Sequence, residues 1–66
     1  MRLVILRREK GWTQAALSKA SGVSQTYISE LETGKKQPTL PVLLRLAGAL
    51  GVSILELIEE NEPVIH

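Results

Sequence analysis

Residues 13–34 read Thr13-Gln14-Ala15-Ala16-Leu17-Ser18-Lys19-Ala20-Ser21-Gly22-Val23-Ser24-Gln25-Thr26-Tyr27-Ile28-Ser29-Glu30-Leu31-Glu32-Thr33-Gly34, and this stretch decides the fold. Thr13 and Ser24 are good N-caps, because a hydroxyl oxygen at that place accepts from an otherwise orphaned N–H of the first helical turn. Gly22 and Gly34 stop the helices that follow, since glycine readily takes the left-handed backbone that closes a helix. The spacing predicts helices over 14–20 or 21 and over 25–33, joined by Gly22, Val23 and Ser24 alone. A glycine-containing turn of this length joins two helices at a steep angle, so residues 13–33 have helix-turn-helix spacing.

The same punctuation continues outward. A first helix over 2–10 ends at Gly11. Thr39 caps a fourth, with Pro41 in its first turn, where a missing N–H costs little, and Gly51 after Leu50 ends it. Ser53 and Glu56 have the S-x-x-E spacing of a capping box, opening a fifth helix over 54–60. Residues 61–66 are a tail. Leu3, Leu6, Ala16, Leu17, Ala20, Val23, Ile28, Leu31, Leu40, Leu43, Leu44, Ala47, Leu50, Val52, Ile54, Leu57 and Ile58 recur at three- and four-residue steps and form one candidate core. The expected architecture is all-α, a compact five-helix bundle forming one domain over 1–66.

Length and composition narrow the function. A chain of 66 residues buries only about 60% of its unfolded surface, so its core is marginal. It has no cysteine to staple it, no aspartate, and one histidine, His66, at the very end. Hydrolytic and nucleophilic catalysis lack a placed base, no metal-ligand cluster exists, and no cofactor motif occurs, so an enzyme is not expected. Apolar runs such as Leu3 to Leu6 are far shorter than the ~20 residues a membrane helix needs. A cytoplasmic protein without a membrane role is expected. The net charge of +1 hides an asymmetry: residues 1–36 carry seven Lys/Arg against three Glu, and residues 37–66 one Arg against four Glu. A basic half beside an acidic half suggests a polyanion facing the first, although uneven solvated charge gives the same count.

The ordered set Thr13-Gln14-Ala15-Ala16-Leu17-Ser18, Gly22 through Lys35, Gln37-Pro38-Thr39-Leu40 and Leu46 through Ser53 resembles the phage-repressor helix-turn-helix family (Cro/C1 type, also called XRE), over roughly residues 3–59. The resemblance implies a lambda-repressor-like DNA-binding domain whose third helix lies in the major groove of double-stranded DNA, its N-terminal residues at base edges. On that reading Gln25, Thr26, Ser29 and Glu30 are base contacts. Gln25 suits the N6/N7 edge of adenine, the Thr26 methyl a thymine methyl, and Glu30 the N4 amine of cytosine. Thr13, Gln14, Tyr27, Thr33, Lys35 and Lys36 are phosphate contacts, Gln14 matching the family's phosphate-clamping glutamine. Arg7 and Glu32 match a structural ion pair of the family, and Trp12 staples the first helix to the second. A departure is that the recognition helix has no Lys or Arg and carries Glu30 and Glu32. If a dimer neutralises ~6 phosphates, the slope of log K against log salt is about −5.

Val4, Ile5 and Leu55 are apolar at places where the family is usually polar, and excess apolar surface suggests an interface. Leu55, Ile58, Val64 and Ile65 are therefore expected at a homodimer interface, against the alternative of a tail folded back in cis. The leading expectation is a sequence-specific regulator, a repressor acting as a homodimer on a palindromic operator, since 66 residues leave no room for a ligand-sensing domain. An antitoxin or restriction–modification controller of the same fold, with a toxin or other regulator as protein partner, is the nearest alternative. A protein-interaction module that has lost DNA binding is the rival from another class.

Overall fold

The computed structural model describes residues 1–59, and Glu60 with the tail, including Val64 and Ile65 of the expected interface, lies outside the described residues. Five helices follow in order: α1 (Leu3–Glu9), α2 (Gln14–Ser21), α3 (Gln25–Glu32), α4 (Leu40–Leu50) and α5 (Ile54–Ile58), with no strand among the described residues. The chain is all-α with helix-turn-helix connectivity at α2–α3.

The starts of α2 to α5 are capped by side chains, whereas Arg2 at the start of α1 makes no capping bond. Thr13 Oγ1 accepts from the Ala16 N–H at 3.0 Å, Ser24 Oγ from Tyr27 at 3.1 Å, Thr39 Oγ1 from Val42 at 3.4 Å and Ser53 Oγ from Glu56 at 3.1 Å. Each cap satisfies one orphan donor of its first turn. Gly22 closes α2 at φ +76°, its N–H returning to the Ser18 carbonyl at 2.9 Å. Its positive φ turns the chain sharply into Val23 and Ser24, and a β-carbon there would be strained. The turn is further tied by the Ser18 hydroxyl, which donates to the Val23 carbonyl at 2.6 Å.

The core is built from Leu3, Leu6, Leu17, Val23, Ile28, Leu31, Leu46, Ala47, Leu50 and Leu57, with Trp12, Tyr27, Val42, Leu43, Val52 and Ile54 packed at its margin. Helix α2 packs on α3 and α4, α5 on α4 and α1. The start of α1 is fastened to α5 by the Arg2 N–H on the Leu57 carbonyl at 2.8 Å and by an Arg2–Glu59 ion pair at 3.7 Å.

Five members of the expected core are outside it, and of these Ala16 is half-buried without joining the cluster. Ala20 is exposed, Leu40 and Leu44 are more than half exposed, and Ile58 is 44% exposed. Leu46, absent from the expected set, is fully buried instead. The reason lies in α4, whose sequence Leu-Pro-Val-Leu-Leu-Arg-Leu-Ala-Gly-Ala-Leu is apolar around most of its circumference. Periodicity then fits several stripes, and packing selects the one through Leu46, Ala47 and Leu50. Helix α5 is also shorter than the expected 54–60, ending at Ile58, because Glu59 turns to φ −55° and ψ 149°.

Candidate nucleic-acid interface

The first turns of α2 and α3 and the segment after α3 surround an open concavity of about 470 Å³. Gln14, Gln25, Thr26, Ser29, Glu30 and Lys35 line it. All four residues expected at base edges are in this lining. Gln25 and Thr26 are exposed, while Ser29 and Glu30 are half-buried. The arrangement follows from α3 itself: Ile28 and Leu31 take its inner face, which turns Gln25, Thr26 and Ser29 outward. The lining supplies amide, hydroxyl and carboxylate groups together with one ammonium, a set suited to reading hydrogen-bond donors and acceptors.

The residues expected at phosphates are placed less uniformly. Thr13 is exposed, and its capping bond uses its oxygen as acceptor, leaving the hydroxyl proton to donate. Lys35 and Lys36 are exposed just beyond α3. Their N–H groups both return to the Glu30 carbonyl, at 2.8 and 3.3 Å, and Gly34 at φ +79° returns to Leu31, so the two ammonium stems leave from a tightly closed helix end. Thr33 and Tyr27 hold their single hydroxyl protons elsewhere. Thr33 donates to the Ser29 carbonyl at 3.0 Å and Tyr27 to the Gln37 carbonyl at 3.3 Å. A phosphate oxygen would have to displace those carbonyls, which the family resemblance alone does not reveal.

Behind the concavity stands a charged cluster. Arg7 Nε donates to Glu32 Oε2 at 2.7 Å, and Arg7 Nη2 to Glu32 Oε1 at 3.1 Å, a bidentate pair whose side chains are 10% and 6% exposed. Arg7 Nη1 donates to the Trp12 carbonyl at 2.8 Å. Gln14 Nε2 donates to Glu32 Oε1 at 2.9 Å, joining the cluster to the lining of the concavity. The Gln14 bond spans 18 residues, and no sequence periodicity points to it. Burial pushes the Glu32 carboxyl up, but hydrogen bonds from Arg7 and Gln14 and the charges of Arg7 and Arg8 outweigh it and hold it below the ordinary value. The Glu32 hydrogen bond raises Arg7 in turn, against its own desolvation. Trp12 is half-buried against the core, and the Lys10 ammonium sits 5.2 Å from its ring centroid.

Of the residues expected at a dimer interface, Leu55 is 75% exposed and Ile58 shares its short helix. No helix among the described residues is long and apolar enough to cross a membrane, and no cluster of three metal-ligating side chains occurs among them.

Residues 3–57 match the helix-turn-helix family. Over 57 residues the chain is 55% identical to an uncharacterized HTH-type transcriptional regulator, y4dJ, of Sinorhizobium fredii, covering 86% of this chain and 74% of that one. It is 44% identical over 52 residues to the HTH-type transcriptional regulator PrpR of Mycobacterium tuberculosis, covering 79% of this chain but 11% of that protein. It is 30% identical over 60 residues to the immunity repressor protein of Bacillus phage phi105, covering 91% of this chain and 42% of that protein. The chain thus spans three quarters of the first relative and less than half of the other two. No solved structure matches significantly.

Proposed function

This chain belongs to the Cro/C1-type helix-turn-helix family, and from that premise we propose that it is a sequence-specific double-stranded DNA-binding regulator that represses transcription as a homodimer on a palindromic operator. The single observation that carries the reading is the concavity at the α2–α3 junction, lined by Gln14, Gln25, Thr26, Ser29, Glu30 and Lys35 on two capped helices. Its polar side chains stand on rigid elements, as base readout requires. Gln25 and Thr26 read bases, with Ser29 and Glu30 deeper in the groove. Lys35, Lys36, Thr13 and the free N–H groups at the start of α2 meet phosphates.

Selection of bound duplexes from a random pool at about physiological salt tests this, because weak non-specific binding is suppressed there. An enriched inverted repeat with half-sites about 34–36 Å apart is expected. The double substitution Gln25→Ala with Thr26→Ala is expected to weaken binding to the selected duplex by about tenfold or more per half-site. Both side chains are exposed, so the melting temperature should change little. Retained affinity in that variant would move readout away from α3.

The homodimer rests on Leu55, a large apolar side chain three-quarters exposed on a five-residue helix. Leu55→Asp is expected to shift the sedimentation of the free protein from dimer to monomer and to weaken operator binding together with it. The exposed Leu40 and Leu44 favour a second reading, a protein-interaction module that has lost DNA binding and in which another protein covers these side chains. That reading predicts that Leu40→Asp or Leu44→Asp impairs function while the Gln25 and Thr26 double variant does not.

A further inference from the structure

We propose that Glu32 is a positioning residue for DNA readout: it fixes which way the Gln14 amide faces, and so the hydrogen-bond pattern that α2 offers inside the concavity. This rests on the DNA-binding reading above. Glu32 is otherwise a partner of Arg7 in the interior, yet its Oε1 also accepts from Gln14 Nε2 at 2.9 Å, and Gln14 lines the concavity beside Gln25.

The orientation is dictated by chemistry. An ionised carboxylate only accepts hydrogen bonds, so the end of the Gln14 amide that meets it is the NH2 group. Arg7 holds that carboxylate ionised and fixed through two bonds, at 2.7 and 3.1 Å. The Gln14 carbonyl oxygen and its second N–H are left for whatever fills the concavity. The outward pattern is therefore one acceptor and one donor. That pattern complements the adenine major-groove edge or a second carboxamide such as Gln25, and it keeps one N–H for a phosphate oxygen where the inverted amide would offer two.

Glu32→Gln inverts this pattern. Arg7 has only donors and bonds both oxygens of the carboxylate, so the new carboxamide must give up one of its bonds: keeping its oxygen on the shorter Nε bond at 2.7 Å puts its NH2 in the place of Oε1, facing Gln14, and gives up the 3.1 Å bond from Nη2. Gln14 must then turn its carbonyl inward and its NH2 outward. The presented pattern becomes two donors, suited to guanine O6 and N7 or to a phosphate.

The experiment is a double-mutant cycle on the duplex selected by the wild-type chain and on duplexes substituted singly at each half-site position. It uses wild type, Glu32→Gln, Gln14→Ala and the double variant, with dissociation constants corrected for the folded fraction measured by circular dichroism. Gln14→Ala leaves the Arg7–Glu32 pair in place, which keeps one arm folded. The expected result is that Glu32→Gln changes the preference among bases at one position by about threefold or more, and that this change vanishes in the Gln14→Ala background. Equal weakening on every duplex, or the same change with and without Gln14, would overturn the proposal and leave Glu32 a purely structural residue. Failure of the wild-type chain to prefer any duplex would overturn the DNA-binding reading itself, which the first arm reveals on its own.

Discussion

Glu32→Ala is expected to lower the melting temperature by roughly 10–25 °C. The carboxylate neutralises Arg7, whose guanidinium is enclosed between α1, the Trp12 carbonyl and α3. Removing one partner of a pair this enclosed leaves a charge poorly solvated and costs about 2–4 kcal/mol, slightly under the range for full burial. Each kcal/mol moves the midpoint of a domain this size by about 4–8 °C. The total stability of a core this small is roughly 3–5 kcal/mol, so a substantial unfolded fraction is expected at 37 °C. Arg7→Met combined with Glu32→Leu should recover much of the loss, because an apolar pair of similar volume carries no stranded charge. Thermal melts followed by circular dichroism decide it, and a fall of under about 3 °C would show the pair to be dispensable. The same carboxylate gives the fold an acid limit. Glu32 is held below its ordinary value, so its contribution is fully present above the unfolded carboxyl pKa of about 4.3 and is lost as pH falls through the lower folded value. Below pH ~4 the wild-type midpoint should therefore fall toward that of Glu32→Gln, which lacks this titration.

Leu17→Ala is the second large effect. Leu17 is wholly buried in the core on α2, the helix that packs against both α3 and α4, so its truncation opens a cavity inside the core. Buried leucine-to-alanine changes cost about 2–5 kcal/mol, as much as the whole domain holds. A chain predominantly unfolded at 25 °C is expected, seen as lost helical ellipticity. Leu17→Met keeps the volume and should stay folded, with a cost under ~1.5 kcal/mol. Leu40→Ala, at a residue 61% exposed, should stay within about 0.5 kcal/mol of wild type, although both positions read as core in the sequence.

That contrast shows where the sequence is legible. Capping hydroxyls and left-handed glycines are local chemistry. Thr13, Ser24, Thr39 and Ser53 therefore mark helix starts, and Gly22 and Gly51 mark ends, by residue type and spacing alone. The lining of the concavity is equally readable, because burying Ile28 and Leu31 leaves no other direction for Gln25, Thr26 and Ser29. Helix α4 is not, since Leu44 and Leu46 differ only in which neighbour they meet. The bond from Gln14 to Glu32 depends on the crossing of α2 and α3, which no spacing within one helix encodes. The same holds for Thr33 and Tyr27, whose hydroxyls turn to main-chain carbonyls set by the loop after α3.

The strongest helix contacts run α1 to α5 to α4 to α2 to α3, with weaker pairs besides, so α1 and α3 stand at the two ends of the strongest seams. The Arg7–Glu32 bonds join those two ends, beside the core that α1 and α3 share, and close the circuit with directed hydrogen bonds. In an open sequence the last member can peel away at the expense of a single seam. In a circuit it cannot leave without straining the opposite side. The amides of α3 should then exchange with solvent only when the whole domain opens, and the surface it presents is as rigid as the molecule is stable.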